Sequence, residues 1–438
     1  MKLLPLLLVA LAGCSFFKKS NEKAQGHERL YSSPESDGAH TLRSGERRLV
    51  FVATNDLRGE LEAKQVSASD RHSPHATLIS IGGVEVFARY LEILRETYPD
   101  EVVLVDSGNS LAGAKLAQKT KAQAGLEAFA RLNYQALTLG PADLKAGPAL
   151  GYSAVASEWL PLVLGRQKLP LVLSNLIDLK RGEAVAWPGV ETQLLKEING
   201  VRVGFVGLFP DNLMTGKDAP SLPGHYVEPM VQAFLKHNRS LRLKGAQVVV
   251  LLTNAPVKCG EKIAELKKLP LSKVNFDPSA PSVCDPDSVL ARFLSELPPQ
   301  SADLVISGGT QKVANLIAGT PVISGFPEGR SFSRVDLIFN TQTNELVRER
   351  SLIHQPTLLC HRFFQESEDC YTEDPSVDHR KTGPAKFLKR EIFPDQQTTA
   401  WLGPWRELAV ALALQSWESD EVRTRLSGRA PALPRTQP

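Results

Sequence analysis

The chain has no basic run interleaved with aromatic residues, and its 51 Lys and Arg are nearly balanced by 48 Asp and Glu, for a net charge of +3. No nucleic-acid polymer is expected as a partner, because that balance offers no electrostatic footprint for one. After the first residues, no segment has the length and apolarity of a transmembrane helix. There is no C-x-x-C pair, which argues against a four-cysteine zinc site, and no C-x-x-C-H haem attachment signature around Cys360-His361. G-x-S-x-G, Walker and dinucleotide fingerprints are absent too, so the familiar hydrolase, phosphate-loop and Rossmann readings have no support. Histidines are few. His225, His237, His354, His361 and His379 have no histidine or carboxylate partner at helical ligand spacing. Only His72 and His75, in "DRHSPHA", are spaced to share a turn, and they are expected to be solvent-exposed loop histidines rather than ligands.

What is present begins at the N-terminus. "MKLLPLLLVALAGC" joins a short positive start to an apolar run and small residues ending in Cys14. These are the proportions of a secretory signal, too short to span a bilayer as a mature helix. The "LAGC" ending resembles the bacterial lipobox, in which the cysteine becomes a lipid-modified N-terminus. Lipidation at Cys14 is therefore expected, with a plain signal peptide as the alternative. Each buried methylene of an acyl chain contributes about 0.8 kcal/mol, so several chains on one residue hold a protein stably on a bilayer. Ser15 stands where aspartate marks inner-membrane retention, which points to the outer membrane, facing the periplasm or the surface.

Export places Cys259, Cys284, Cys360 and Cys370 in an oxidising compartment and predicts two disulfides. Three pairings are possible. The shortest loops favour Cys259 with Cys284 and Cys360 with Cys370.

With 438 residues and 42% apolar content, the chain is long enough for a large α/β domain with an extension. Residues 15–46 are polar, lack an apolar period and read as a flexible tether. Strand-like and helix-like runs then alternate. "RRLVFVAT" and "EVVLVDSG" are apolar strands, and "GGVEVFARYLEILRETYP" has helical spacing. "ETQLLKEINGVRVGFVGLF" reads as a hairpin about Asn199-Gly200. Near-continuous apolar strands between amphipathic helices predict a sheet covered on both faces. Beyond residue 345 the pattern degrades into a charged, cysteine-containing segment, with one helix at "WRELAVALALQSW" and a Pro-rich, disordered end.

Five matched places, in order, carry a family resemblance: "TNDLRG", "LVDSGNSLAG", "LTLGPADLKAG", "VVVLLTNAP" and "ADLVISGGTQK". Over residues 47–345 the chain resembles the 5′-nucleotidase branch of the calcineurin-like metallophosphoesterases. The resemblance implies a sandwich of two mixed β-sheets flanked by helices, four layers α/β/β/α, plus a small irregular C-terminal extension at 346–438. It also implies loops that present ligands to two divalent ions roughly 3.5–4 Å apart, which polarise a phosphate and activate water.

The implied ligand positions are largely replaced. Asp56 is kept, but Arg58 stands for a histidine and Asn109 for the bridging aspartate. Pro141 stands for an asparagine ligand, and Ala142 for the catalytic histidine. Asn254, Thr310 and Lys312 occupy the remaining positions, and Asp106 matches the structural aspartate of the second motif. Of seven ligand positions, six have changed. A cation at Arg58 or Lys312 about 4 Å from an ion is repelled by about 4 kcal/mol per unit charge at an effective dielectric near 20. The resemblance thus implies no metal, no cofactor and no catalytic residue in this chain. The family's larger base-gripping C-terminal domain has no counterpart in residues 346–438.

The sequence therefore predicts a membrane-anchored envelope lipoprotein with a metallophosphatase-like fold, serving in binding or scaffolding. Its partners are the bilayer, through Cys14, and either an envelope protein or a small anionic ligand. Two rivals remain: a working phosphoesterase with a rebuilt site, and a metal-free phosphate or nucleotide sensor using Arg58 and Lys312. In the blander reading, Arg58 and Lys312 simply fill the site and pair with Asp56 and Asp143.

Overall fold

The first strand, β1 (Glu46–Thr54), has both faces buried, and its residues divide between two cores. Leu49, Phe51 and Ala53 point into one cluster, while Val50 and Val52 point into another. A strand whose alternate residues are apolar on both sides must lie inside a stack of layers. The computed structural model describes residues 41–67, 78–215, 219–259, 284–366, 368, 370, 377–378 and 380–426. Cys14, the 15–40 part of the tether, His72, His75, His379 and the Pro-rich end lie outside the described residues.

In chain order, the elements that build the site include the hairpin strands β2 (Ala63–Ser67) and β3 (Leu78–Gly82) and the helix α1 (Val84–Thr97). They are followed by β4 (Val102–Asp106), α2 (Gln123–Arg131), α3 (Pro141–Leu144) and α4 (Met230–Leu243). Strand β1 pairs parallel with β4 and antiparallel with Ser331–Asn340, at the middle of an eight-stranded mixed sheet. A second, six-stranded sheet contains Leu194–Ile198, Val201–Leu208, Val248–Thr253, Leu304–Ser307, Val313–Ile317 and Thr320–Ser324. The two sheets face each other across Phe51, Val105, Phe205, Val250 and Leu337. Helices α1 and α2 cover the outer face of the first sheet, while α4 and Val289–Glu296 cover that of the second. The result is the four-layer α/β/β/α sandwich that the sequence predicts.

Local chemistry accounts for the turns. Asn199 and Gly200 both take positive φ, at 50° and 73°, and close the hairpin between Ile198 and Val201. This is the backbone that a two-residue turn between right-twisted strands requires, and Asn-Gly adopts it at little cost. Helix α4 starts directly after Pro229, whose missing N–H is harmless at a helix start.

After residue 345 the chain stays in the same body. Leu352–Leu358 pairs antiparallel with Ser331–Asn340 in the first sheet. Phe387, Ile392 and Leu402 then enter the core beneath α1. The disulfides join Cys259 to Cys284 and Cys360 to Cys370, the pairing favoured by the shortest loops. The Cys360–Cys370 link sits in a small satellite core with Ile79, Ile81 and Phe364. Among the described residues, no helix is long and apolar enough to cross a membrane.

Candidate functional site

The loops that follow β1, β4 and Val248–Thr253 meet at one end of the sandwich. Asp56 and Arg58 adopt positive φ, at 48° and 51°, so the chain turns sharply as it leaves β1. Three backbone bonds tie this loop to the next one: Asp56 N–H to Gly108 O (2.9 Å), Arg58 N–H to Asn109 O (3.0 Å) and Gly59 N–H to Ser110 O (2.9 Å). Gly108, at φ 91°, is required by contact as well as by conformation, since a Cβ there would lie 2.4 Å from Gly140 N.

At the centre lies a closed network of two amides and one carboxylate. Asn109 Nδ2 donates to Asp56 Oδ1 at 2.8 Å and to Asn254 Oδ1 at 2.5 Å. Asn254 Nδ2 donates to Asp56 Oδ2 at 3.2 Å. The backbone N–H of Gly309 and the side chain of Asn55 also donate to Asp56 Oδ2, at 2.6 and 3.1 Å. Asn109 Oδ1 in turn accepts from Ala142 N–H at 2.6 Å. The amide orientations are fixed by this pattern. Flipping Asn109 would set its oxygen against Asp56 Oδ1 and Asn254 Oδ1, and its NH2 against the Ala142 N–H. Asp56 is 1% exposed, so its charge is held by donors within the protein rather than by water.

Beneath this network lie two more buried carboxyls. Asp143, expected from the sequence only as an ion-pair partner for Arg58 or Lys312, accepts backbone N–H bonds from Asn109 (2.7 Å), Leu111 (2.8 Å) and Gly140 (2.8 Å). Burial, with a smaller push from the Asp56 charge, carries its pKa up to about 6 against the opposing effect of those three bonds. Asp106 accepts from Thr54 Oγ1, Gly108 N and Ser110 Oγ, which fits the structural role expected of it. Burial pushes its carboxyl up to about 7, with Asp143 adding repulsion. Thr54 spends its one hydroxyl hydrogen on Asp106, so Tyr134 donates to Thr54 at 2.9 Å. Burial, with the neighbouring Asp106 charge, drives the Tyr134 phenol well above its ordinary range.

The other positions singled out in the sequence lie around the rim. Arg58 Nη1 pairs with Glu328 Oε1 at 3.8 Å, so its charge goes to the loop 325–331. Lys312 Nζ lies 6.0 Å from the ring centre of Phe326 in the same loop. Thr310 is exposed, and Pro141 opens α3 half-buried. The structure thus joins Asp56, Asn109, Ala142 and Asn254 directly and sends Arg58 to the mouth. The sequence reading missed the rim loop itself. Its one signal was "GFPEGR", a Gly- and Pro-punctuated stretch with charges. Among the described residues, no group of three or more His, Cys, Asp or Glu side chains is placed to hold a metal ion.

No family model matches the chain. A cell wall protein of Listeria monocytogenes is 21% identical over 321 residues, which are 68% of this chain and 38% of that protein. The chain therefore spans well under half the length of the curated relative it matches. Among solved structures, the NAD nucleotidase of Haemophilus influenzae superposes with a TM-score of 0.56 at 15% identity, covering 84% of this chain and 61% of that one. A calcineurin-like phosphoesterase of Bacillus subtilis superposes with a TM-score of 0.53 at 16% identity, covering 84% and 99%. The fold is the one shared by these structures, that of the calcineurin-like phosphoesterases.

Proposed function

We propose that this protein uses a metallophosphoesterase fold as a binding scaffold in the bacterial envelope and carries out no metal-dependent hydrolysis. The observation that carries the reading is the closed Asp56–Asn109–Asn254 network. A dinuclear centre needs several oxygen or nitrogen lone pairs converging on each ion and an anionic bridge between the ions. Here amide N–H donors of Asn109 and Asn254 face the oxygens of the network, and every side-chain oxygen already accepts a hydrogen bond. The residues present do not fit the metal pair of the fold family. The experiment is metal analysis of the purified chain together with a phosphatase screen in added manganese. Stoichiometric metal with turnover would favour the rival, a phosphoesterase with a rebuilt site.

The cell wall relative from Listeria monocytogenes supports an envelope location. The "LAGC" ending supports an anchor: lipid on Cys14, in the outer membrane, with the body facing the periplasm or the surface. The partner in this reading is an envelope protein or a small anionic ligand.

A further inference from the structure

The loop 325–331 is pinned to the first site loop from three sides. Asn55 brackets Gly325, donating to its carbonyl at 3.3 Å and accepting its N–H at 2.7 Å. Glu328 N–H donates to Asp56 O at 2.8 Å. A Cβ on Gly82 would lie 2.9 Å from Gly329 O, so the β3 end also holds the loop closely. Such a loop is preorganised.

Four cations gather on it from four places in the sequence. Arg58 from the first loop and Lys64 from β2 both reach Glu328, Lys64 Nζ at 2.9 Å. Arg330 Cζ lies 5.8 Å from the Phe326 ring centre and donates through Nε to Pro327 O. Lys312 approaches the same ring from the loop after Leu304–Ser307. Two carboxylates oppose them: Glu328, and Glu60, which lies 3.0 Å from Lys64. Cationic side chains thus outnumber the carboxylates beside them on the rim. The buried Asp56 adds a negative charge behind the loop, held by four neutral N–H donors. Arg58 and Lys64 are 41% and 42% exposed and Phe326 is half-buried, so all three are reachable from solvent.

We propose that this rim is a metal-free site for a phosphate-bearing ligand, with Arg58, Lys64, Lys312 and Arg330 holding the anion and Phe326 serving as an apolar platform beside it. The proposal rests on the metal-free reading of the cleft. A phosphomonoester is close to a dianion at neutral pH and so is attracted by the cationic side chains of the rim. Arginine adds planar, two-pronged recognition of phosphate oxygens, and lysine adds a point charge. Glu328 acts as the internal counter-charge that keeps Arg58 and Lys64 in place before the ligand arrives. Its hydrogen bond from Lys64 holds its carboxyl below the ordinary range, so it remains ionised at neutral pH. A ligand anion competes with Glu328 for both cations, and binding is weakened by salt because the rim is open to water.

The test is calorimetric titration of the full chain with inorganic phosphate and with phenyl phosphate, first in chelator and then with manganese in its place. Saturable binding is expected, stronger for phenyl phosphate and weaker at raised salt. Because charged hydrogen bonds are the strong ones, Lys312→Gln with Arg330→Gln should weaken both probes by about tenfold or more. Phe326→Ala should remove the preference for phenyl phosphate, and Glu328→Gln should tighten inorganic phosphate. Circular dichroism on each variant separates lost binding from lost folding. Binding unchanged in the double variant overturns the site. No binding of either probe, with or without manganese and with no manganese bound, overturns the anion site and leaves the scaffold reading standing. Phosphate binding that appears only with manganese overturns the metal-free reading as well.

Discussion

Asn109 Nδ2 and Asp56 Oδ1 lie 2.8 Å apart, with the amide donating and the carboxylate accepting. This contact makes the two residues direct hydrogen-bond partners. Replacing Asn109 by aspartate turns the contact into two facing carboxylates above a third, Asp143. At about 4 Å and an effective dielectric near 20, such repulsion is about 4 kcal/mol. Asn109→Asp should therefore lower the thermal midpoint at pH 8, recover part of it at pH 5, and gain no phosphatase activity. Thermal melts at the two pH values, with a turnover assay alongside, check this. A single reversion that produced manganese-dependent turnover would mean the site is nearly intact.

Removing the acceptor is the complementary change. Asp56→Ala leaves donors on Asn55, Asn109, Asn254 and Gly309 without their buried partner. Unsatisfied buried groups cost about 1–3 kcal/mol each, so a loss of at least about 3 kcal/mol in urea unfolding is expected. Manganese should not alter the difference between variant and parent.

Gly308 tests the tightness of the network. A Cβ there would lie 1.8 Å from Asn254 Nδ2 and 2.9 Å from Asp56 Oδ2. Gly308→Ala must displace Asn254, and a loss of about 1–3 kcal/mol is expected, as for other overpacked sites. A variant as stable as the parent would show that the network is loosely held.

How far these residues were legible in the sequence follows from their separation along the chain. The strands were visible because runs such as Val248–Thr253 are apolar on both faces, which few alternatives accommodate. Asp56, Asn109 and Asn254 were visible as positions because each lies in a recognisable loop just past the end of a buried strand. Their mutual bonding was not, since hydrogen bonds spanning 53 and 145 residues leave no local pattern. The same holds for the pairing of Arg58 with Glu328. Beyond residue 345 the strands are two to seven residues long, and core residues such as Phe387 sit among charged neighbours, so periodicity had little to report.

The pH dependence has a worked sign. Asp106 holds its proton up to about pH 7 in the folded protein because of burial, against an unfolded value near 4. Between those values the folded state binds more protons, so this group favours folding at low pH and its contribution is lost as pH rises through 7. Buried His237 and half-buried His361 slope the other way: their lowered values withdraw stability as pH falls below about 6.5. The clean measurement is therefore a difference. Stability of the parent minus that of Asp106→Asn should fall on the order of 3 kcal/mol from pH 4.5 to pH 7.5. A flat difference would remove Asp106 from the account.

The most direct test of the central claim is the metal content of the purified chain, by elemental analysis after equilibration with manganese and with zinc, read alongside phosphomonoester turnover. The account predicts less than stoichiometric metal and turnover equal to a buffer blank, in the parent and in Asp56→Ala alike. Two equivalents of metal in the parent, lost together with measurable turnover in Asp56→Ala, would contradict it.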